Sequence, residues 1–388
     1  MKIAIVHEWL EHYAGSERVL EELLKCYPQA DIFAVVDFLA DDDRLFLGGR
    51  PVTTSFIQKL PLARKHFRNY LQLMPLAIEQ FDLTGYDLVI SSNHAVAKGV
   101  LTGPKQVHVC YMHSPIRYAW DLQSQYLRES GLTQGVKSLY VRWLLHRIRI
   151  WDAMAANGVD CFLANSSYIA RRIQKTYRRD AEVVPPPVAV ERFVPGDGPR
   201  SGYLVASRFV PYKRIELIAE AFRELPDCPL TIVGAGTNEP QVRRAAAGAP
   251  NITLRPPVSH AELVSLMQSA KAMVFAAEED FGITMVEAQA CGTPVIAFAE
   301  GGARDIFPQH SAAPTGVLFG TQTKDAIVSA VRRFESHGAA MLPAVCRENA
   351  LRFSAALFRT RIQAAVDTAM AQFRHRGPVA AHTAHENG

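Results

Sequence analysis

The sequence lacks any C-x-x-C pair, any low-complexity run and any apolar stretch long enough to span a bilayer. Its six cysteines (Cys26, Cys110, Cys161, Cys228, Cys291 and Cys346) lie far apart, which argues against both a disulfide framework and a thiolate zinc site. A reducing cytoplasm is the expected compartment, and any membrane contact is expected to be peripheral. The opening Met1-Lys2-Ile3-Ala4-Ile5-Val6-His7-Glu8 carries a four-residue apolar run ended by polar groups, too short for a signal peptide. The chain has 388 residues, 48% of them hydrophobic and 21% charged, the composition of a soluble globular protein with length for two domains.

The formal charge of +4 hides an asymmetry. Residues 1–58 hold 5 Lys/Arg against 10 Asp/Glu, whereas residues 59–179 hold 17 against 7. An acidic partner is expected at that basic stretch.

Apolar or β-branched runs at residues 3–6, 32–38, 88–91 and 107–112 read as buried strands. They alternate with segments long enough for crossover helices, the first at residues 16–24 with Val19, Leu20, Leu23 and Leu24 on one face. Such alternation predicts a parallel sheet covered on both faces. After Pro185-Pro186-Pro187 and Pro195-Gly196-Asp197-Gly198-Pro199 it begins again, with strands at 202–207, 230–233, 273–275 and 295–298 and a helix from about Tyr212. The expected divisions are a first α/β domain at 1–188, a linker at 189–199, a second α/β domain at 200–350, C-terminal helices at 351–375 and a disordered tail at 376–388. In doubly wound sheets ligands bind beyond the carboxyl ends of the strands.

Four stretches could carry chemistry there. In residues 275–294 a strand runs into an acidic loop with Glu279, Phe281 and Gly282, and a helix starts near Ile283 and Thr284 and stops at Gly292. Helix-start N–H groups favour an anion, and Glu287, expected in the first turn, can accept bonds from vicinal hydroxyls such as those of a ribose. Taken alone, an E-x7-E pair is usually two solvated acids; the strand, loop and helix around this one argue otherwise. In Ser207-Arg208-Phe209-Val210-Pro211-Tyr212-Lys213, Arg208 and Lys213 leave a strand end and can stabilise a departing diphosphate. His113 follows another strand end and opens the aromatic-rich stretch to Asp121, although a lone histidine is more often structural. Gly15, in the first loop, permits close approach to a phosphate.

These residues together resemble the retaining GT-B glycosyltransferases of family 4, over nearly the whole chain from Gly15 to Phe358. The resemblance implies two Rossmann-like domains facing a central cleft, with the last helix crossing back to the first domain. It implies that Arg208 and Lys213 bind the donor diphosphate, Glu287 the ribose, and Glu279 with the backbone of Phe281, Gly282 and Ile283 the transferred sugar. His113 is placed beside that sugar, and Gly15 against the phosphates. Neither a cofactor nor a metal is implied. One departure is Ala14-Gly15, where many members carry two glycines. The His113 to Asp121 stretch is most similar to bacterial mannosyl- and rhamnosyltransferases of O-antigen and exopolysaccharide assembly, so GDP-mannose is the first expected donor. A lipid-linked or oligosaccharide acceptor is expected with it, on the cytoplasmic face of the inner membrane. Retention is expected without an enzymic nucleophile, the leaving diphosphate helping to deprotonate the acceptor.

Rival readings are weaker or remain open. A dinucleotide dehydrogenase is disfavoured because Val233-Gly234-Ala235-Gly236 lacks the third glycine of the fingerprint, that position being Glu239. Asp41-Asp42-Asp43 formally offers a D-x-D metal motif but reads as a polar turn. A sugar-nucleotide epimerase shares the architecture, and a UDP-sugar is the alternative donor. Lys137, Arg142, Arg147 and Arg149 interleave with Leu139, Trp143, Leu144, Leu145, Ile148 and Trp151, and Arg64, Lys65 and Arg68 lie beside aromatics. Such basic amphipathic segments bind anionic lipid, unless their apolar residues face the core. No recognition motif for nucleic acid accompanies the charge.

Overall fold

A computed structural model describes residues 1–307 and 314–375. The tail expected over 376–388 lies outside the described residues. The chain divides into two compact units. The first comprises Met1–Ala164, Ala170–Val184 and the chain from Arg359, and the second Asn165–Ile169 and Pro185–Phe358.

The first unit is built on seven strands, β1 (Ile3–His7), β2 (Asp31–Ala34), β3 (Val52–Thr54), β4 (Leu88–Asn93), β5 (Val107–Met112), β6 (Cys161–Ala164) and β7 (Ala181–Val183). Their order is β3-β2-β1-β4-β5-β6-β7, and every pairing is parallel. Helix Gly15–Cys26 crosses from β1 to β2 and buries Val19, Leu20, Leu23 and Leu24, the face its sequence spacing marks out. The C-terminal helix Ala355–His375 rejoins this unit, as expected. Its Arg359 pairs with Glu22, and the Arg359 carbonyl lies 4.0 Å from Cys26 Sγ.

The second unit holds β8 (Tyr203–Ala206), β9 (Leu230–Val233), β10 (Ile252–Arg255), β11 (Ala272–Phe275), β12 (Val295–Phe298) and β13 (Gly316–Phe319). They are ordered β10-β9-β8-β11-β12-β13, again all parallel. Alternate residues of one strand feed opposite faces. Ala272 and Val274 of β11 pack in one apolar cluster with Tyr203 and Phe222, while Met273 and Phe275 pack in another with Phe281 and Phe353. Burial on both sides explains why these strands read as continuous apolar runs rather than as alternating ones.

Two expectations need correction. Residues 189–199 are not a free linker, because Val190 and Phe193 are buried in the core of the second unit and the division falls between Val184 and Pro185. The helix expected from about Tyr212 starts later. Pro211–Lys213 form a 3-10 turn, Arg214 takes a left-handed conformation (φ 54°), and the α-helix runs Ile215–Phe222. Lys213 therefore sits on a turn ahead of the helix.

Candidate functional site

A parallel sheet places all its strand carboxyl ends on one edge, and the order in each unit reverses between two central strands. In the second unit that switch lies between β8 and β11, and the loops leaving these two strands carry the expected site residues.

After β8, the N–H groups of Ser207 and Phe209 donate to the carbonyls of Val233 at the end of β9 (3.1 Å) and of Ala235 in the loop that follows it (2.8 Å). Glycine is required there. A Cβ on Gly234 would lie 1.9 Å from the Ser207 carbonyl oxygen, and one on Gly236 2.3 Å from that of Phe209. The first two glycines of the dehydrogenase-like fingerprint thus serve close packing of two loops. Arg208 is exposed on this loop, while Lys213 is ion-paired with Glu279 from the β11 loop, both side chains about 15% exposed. The ammonium also lies 5.0 Å from the Tyr212 ring centroid.

The β11 loop is held from behind. Gly302 N–H donates to the Glu279 carbonyl at 2.9 Å, and a Cβ on Gly301 would stand 2.1 Å from that same oxygen. Phe281 packs edge-on against Phe353 at 5.4 Å, so only its backbone remains to meet a ligand. Gly282 adopts φ 100° as the cap of helix Ile283–Ala290, a conformation that favours glycine, and accepts the Met285 N–H at 2.9 Å. Ile283 and Thr284 open the helix, where backbone N–H groups lack intrahelical acceptors. Glu287 is not in the first turn as expected. It is the fifth helical residue, one turn further on, and is buried to 6% exposure.

In the first unit the switch lies between β1 and β4. Gly15 is the first residue of its helix and Ala14 the cap, whose N–H donates to Glu17 Oε2 at 3.0 Å. That carboxylate also accepts from Ser16 Oγ at 2.9 Å and pairs with His7 Nε2 at 3.3 Å. Burial by itself would raise the Glu17 carboxyl. The bonds from His7, its own backbone and Ser16 outweigh burial and hold it at about 2. His113 Nε2 lies 2.9 Å from Ser92 Oγ, and burial, then the neighbouring His94 and His7, push its ring down to about 3.

Four residues went unread in the sequence. Glu8, fully buried, accepts backbone N–H bonds from His94, Ala95, Val96 and Ala97 at 2.7 to 3.0 Å and so fixes the turn after β4. His7, Glu17 and Ser92 join His113 in one hydrogen-bonded row. Two polar residues directly at the end of an apolar strand run, His7-Glu8, were the signal available.

Asp41, Asp42 and Asp43 lie at a 3-10 turn whose Arg44 pairs with Asp37, and among the described residues no three metal-type side chains cluster. On helix Val136–Ala155, Leu145 and Ile148 face the core, whereas Val136, Leu139, Trp143 and Ile150 are exposed. Arg149 is bound internally, to the Ala119 carbonyl at 2.7 Å and to Gln123. No helix among the described residues is long and apolar enough to cross a membrane.

Residues 13–192 match the family model "Glycosyltransferase Family 4", and residues 197–353 match "Glycosyl transferases group 1". The chain is similar to D-inositol 3-phosphate glycosyltransferase of Geodermatophilus obscurus, 37% identical over 187 residues that span 40% of this chain and 41% of the relative. The Mycobacterium leprae protein of the same name is 30% identical over 176 residues, 39% of this chain and 41% of the relative. The match thus spans about two fifths of those relatives' length. Among solved structures, sucrose-phosphate synthase of Thermosynechococcus elongatus superposes with a TM-score of 0.71 at 17% identity, covering 96% of this chain and all of that one. HepE of Anabaena in complex with UDP gives 0.68 at 15% identity, over 95% and 100%. The two domain matches follow one another along the chain, and the two parallel α/β units have the GT-B fold.

Proposed function

We propose that the chain is a retaining glycosyltransferase whose second unit binds a nucleotide sugar at the β8/β11 switch. The observation that carries this reading is the meeting of Lys213 and Glu279 from two different strand ends, next to the start of helix Ile283–Ala290. A cation and a carboxylate so placed suit the two halves of an activated sugar. Lys213, with Arg208 on the same loop, takes the diphosphate, and Glu279 takes sugar hydroxyls. Backbone N–H groups at Gly282, Ile283 and Thr284 add to the anion site, and Glu287 takes the ribose. His113 and Gly15 are assigned to the transferred sugar and the phosphates on the family resemblance.

Charge develops on the leaving diphosphate in the transition state. Cations fixed beforehand stabilise it without reorganising, typically the largest single contribution to catalysis. Neither glutamate attacks the sugar; the departing phosphate oxygen takes the proton of the acceptor hydroxyl on the same face. The reaction needs no resident metal in this scheme, since Arg208 and Lys213 neutralise the diphosphate.

GDP-mannose remains the first donor proposed, with a lipid-linked or oligosaccharide acceptor of bacterial surface polysaccharide at the cytoplasmic face of the membrane. A UDP-sugar is the second reading, favoured by the UDP and UDP-glucose complexes of HepE. Incubating the chain with each labelled nucleotide sugar and a glycolipid extract, then assigning the anomeric configuration of the product by NMR, tests the proposal. A glycoside with the donor's configuration supports it. A donor isomerised without any acceptor would instead show an epimerase.

A further inference from the structure

Residues Asn165–Ile169 belong to the second unit, and Ser166 is fully buried among them. Its Oγ accepts the Ile169 N–H at 3.2 Å, as the N-cap of helix Ser167–Tyr177, and lies 2.5 Å from the carbonyl oxygen of Asp280. The next N–H, that of Ser167, donates to Asp305 Oδ2 at 2.7 Å.

The Ser166 hydroxyl has one hydrogen and two oxygens in reach, the Asp280 carbonyl at 2.5 Å and Asn165 Oδ1 at 3.1 Å. Two oxygens approach as closely as the first pair only with a hydrogen between them. A carbonyl has none to give, so Ser166 donates to Asp280. One residue earlier, the Glu279 carbonyl accepts the Gly302 N–H at 2.9 Å. Both carbonyls of the loop that carries Glu279 are therefore held from outside that loop.

The Asp280–Phe281 peptide is trans, so its C=O and N–H lie in one plane and point opposite ways. Fixing the Asp280 carbonyl thus fixes the direction of the Phe281 N–H. That N–H has no acceptor among the described residues, although Phe281 is only 4% exposed. Buried backbone donors are almost always paired, so an unmatched one beside Glu279 and the start of helix Ile283–Ala290 marks a place for a ligand's acceptor.

We propose that Ser166 is a positioning residue for the transferred sugar: by holding the Asp280 carbonyl it aims the Phe281 N–H at a sugar oxygen. The inference rests on the proposed transferase function for the identity of that oxygen, while the aim of the N–H follows from the loop's own bonds. Asp305 braces Ser166 through the backbone of Ser167, and Ser166 acts only through the loop.

The loop can be read directly in the full chain, because the dipeptide Asp-Phe occurs only at 37–38 and 280–281. Labelling aspartate carbonyls with ¹³C and phenylalanine nitrogens with ¹⁵N leaves just those carbonyl–amide pairs visible, and Phe38→Leu tells them apart. In Ser166→Ala the Asp280 carbonyl should move upfield, as a carbonyl that loses its donor does, and the Phe281 amide should move with it. In Ser166→Thr, which keeps the hydroxyl, both should stay near their wild-type positions. Transfer should fall roughly tenfold in Ser166→Ala, the worth of one hydrogen bond, while free GDP or UDP, which lacks the sugar, binds within about twofold of wild type. Ser166→Gly separates this role from the helix cap, since glycine caps almost as well as serine. It should lose transfer as alanine does but keep more of the melting temperature. Asp280 and Phe281 signals indifferent to Ser166→Ala, transfer that follows the melting temperature, or a threonine variant no better than alanine would each overturn the proposal. Absence of transfer with every donor would count against the enzyme reading, while the carbonyl signal still decides whether Ser166 sets the loop.

Discussion

Lys213 and Glu279 are ion-paired across the switch point of the second sheet, each from the loop beyond its own strand. In the proposed function Glu279 is both a sugar contact and, through this pair, a competitor of the diphosphate for Lys213. Glu279→Gln is therefore expected to have opposite effects on product and on turnover. A mostly buried pair of this kind is worth about 1 kcal/mol, so the free nucleoside diphosphate should bind near fivefold tighter. Transfer should fall about 100-fold or more, because the sugar loses its carboxylate. Calorimetry with GDP and UDP, set beside turnover, checks both; equal loss of product binding and turnover would contradict the assignment.

The exposed apolar face of helix Val136–Ala155 is expected to dock on anionic lipid. Trp143 is 56% exposed and Leu139 68%, and Lys137 and Arg147 are exposed on the same helix. Replacing Leu139, Trp143, Lys137 and Arg147 by serine should lower vesicle flotation at least tenfold, at roughly 1 kcal/mol per cation, and leave the melting temperature in place. Arg149 is unsuitable for this test, since it holds Ala119 and Gln123. Unchanged flotation would leave the basic segment without a membrane role.

Lys98 and Asp152 form a fully buried ion pair in the first unit, and the same carboxylate accepts from Trp120 Nε1 at 2.7 Å and from the Tyr177 hydroxyl at 2.8 Å. The two partners are thus unequal. Lys98→Met leaves Asp152 two donors and should cost about 3 kcal/mol, while Asp152→Leu strands a buried ammonium and two donors and should cost about 5 kcal/mol. Chemical denaturation of the two variants gives the order; Lys98→Met as the more damaging change would contradict it.

Acid should loosen the first unit before carboxylates protonate. His108, fully buried between Ser91 Oγ (2.8 Å) and the Gly158 carbonyl (3.2 Å), is pushed down by burial to about 4. Its folded value lies below the unfolded one, so the unfolded chain binds the proton first. Stability is full above about pH 6.5 and declines as the pH falls toward 4, by roughly 3 kcal/mol for this one group. Urea midpoints from pH 7.5 to 4.5 should show the slope, reduced in His108→Gln; an equal slope would remove His108 as its source.

Much of the architecture was legible in the sequence, and the omissions share a cause. β1, β4, β5, β9, β11 and β12 are buried on both faces and stand out as apolar runs. β3 (Val-Thr-Thr), β7 (Ala-Glu-Val) and β10 (Ile-Thr-Leu-Arg) lie at sheet edges, where one side of the ladder is unpaired and side chains stay partly exposed, so no run marks them. β13 (Gly-Val-Leu-Phe) is the other edge of its sheet and is likewise partly exposed. Lys213, Glu279 and the start of helix Ile283–Ala290 were readable because each sits a few residues beyond a strong strand. The hydrogen-bonded row of His7, Glu17, Ser92 and His113 was not. His7 and Ser92 are 85 positions apart and meet only through the β1–β4 register, which a pattern of local periodicities does not contain.

Titration calorimetry of GDP-mannose and UDP-glucose on the wild type, Lys213→Ala and Glu287→Ala tests the central claim, that an activated sugar binds at the β8/β11 switch. Micromolar binding of one donor, weakened at least tenfold by each substitution, is the predicted result. No heat with any nucleotide sugar, or binding indifferent to both substitutions, would contradict it.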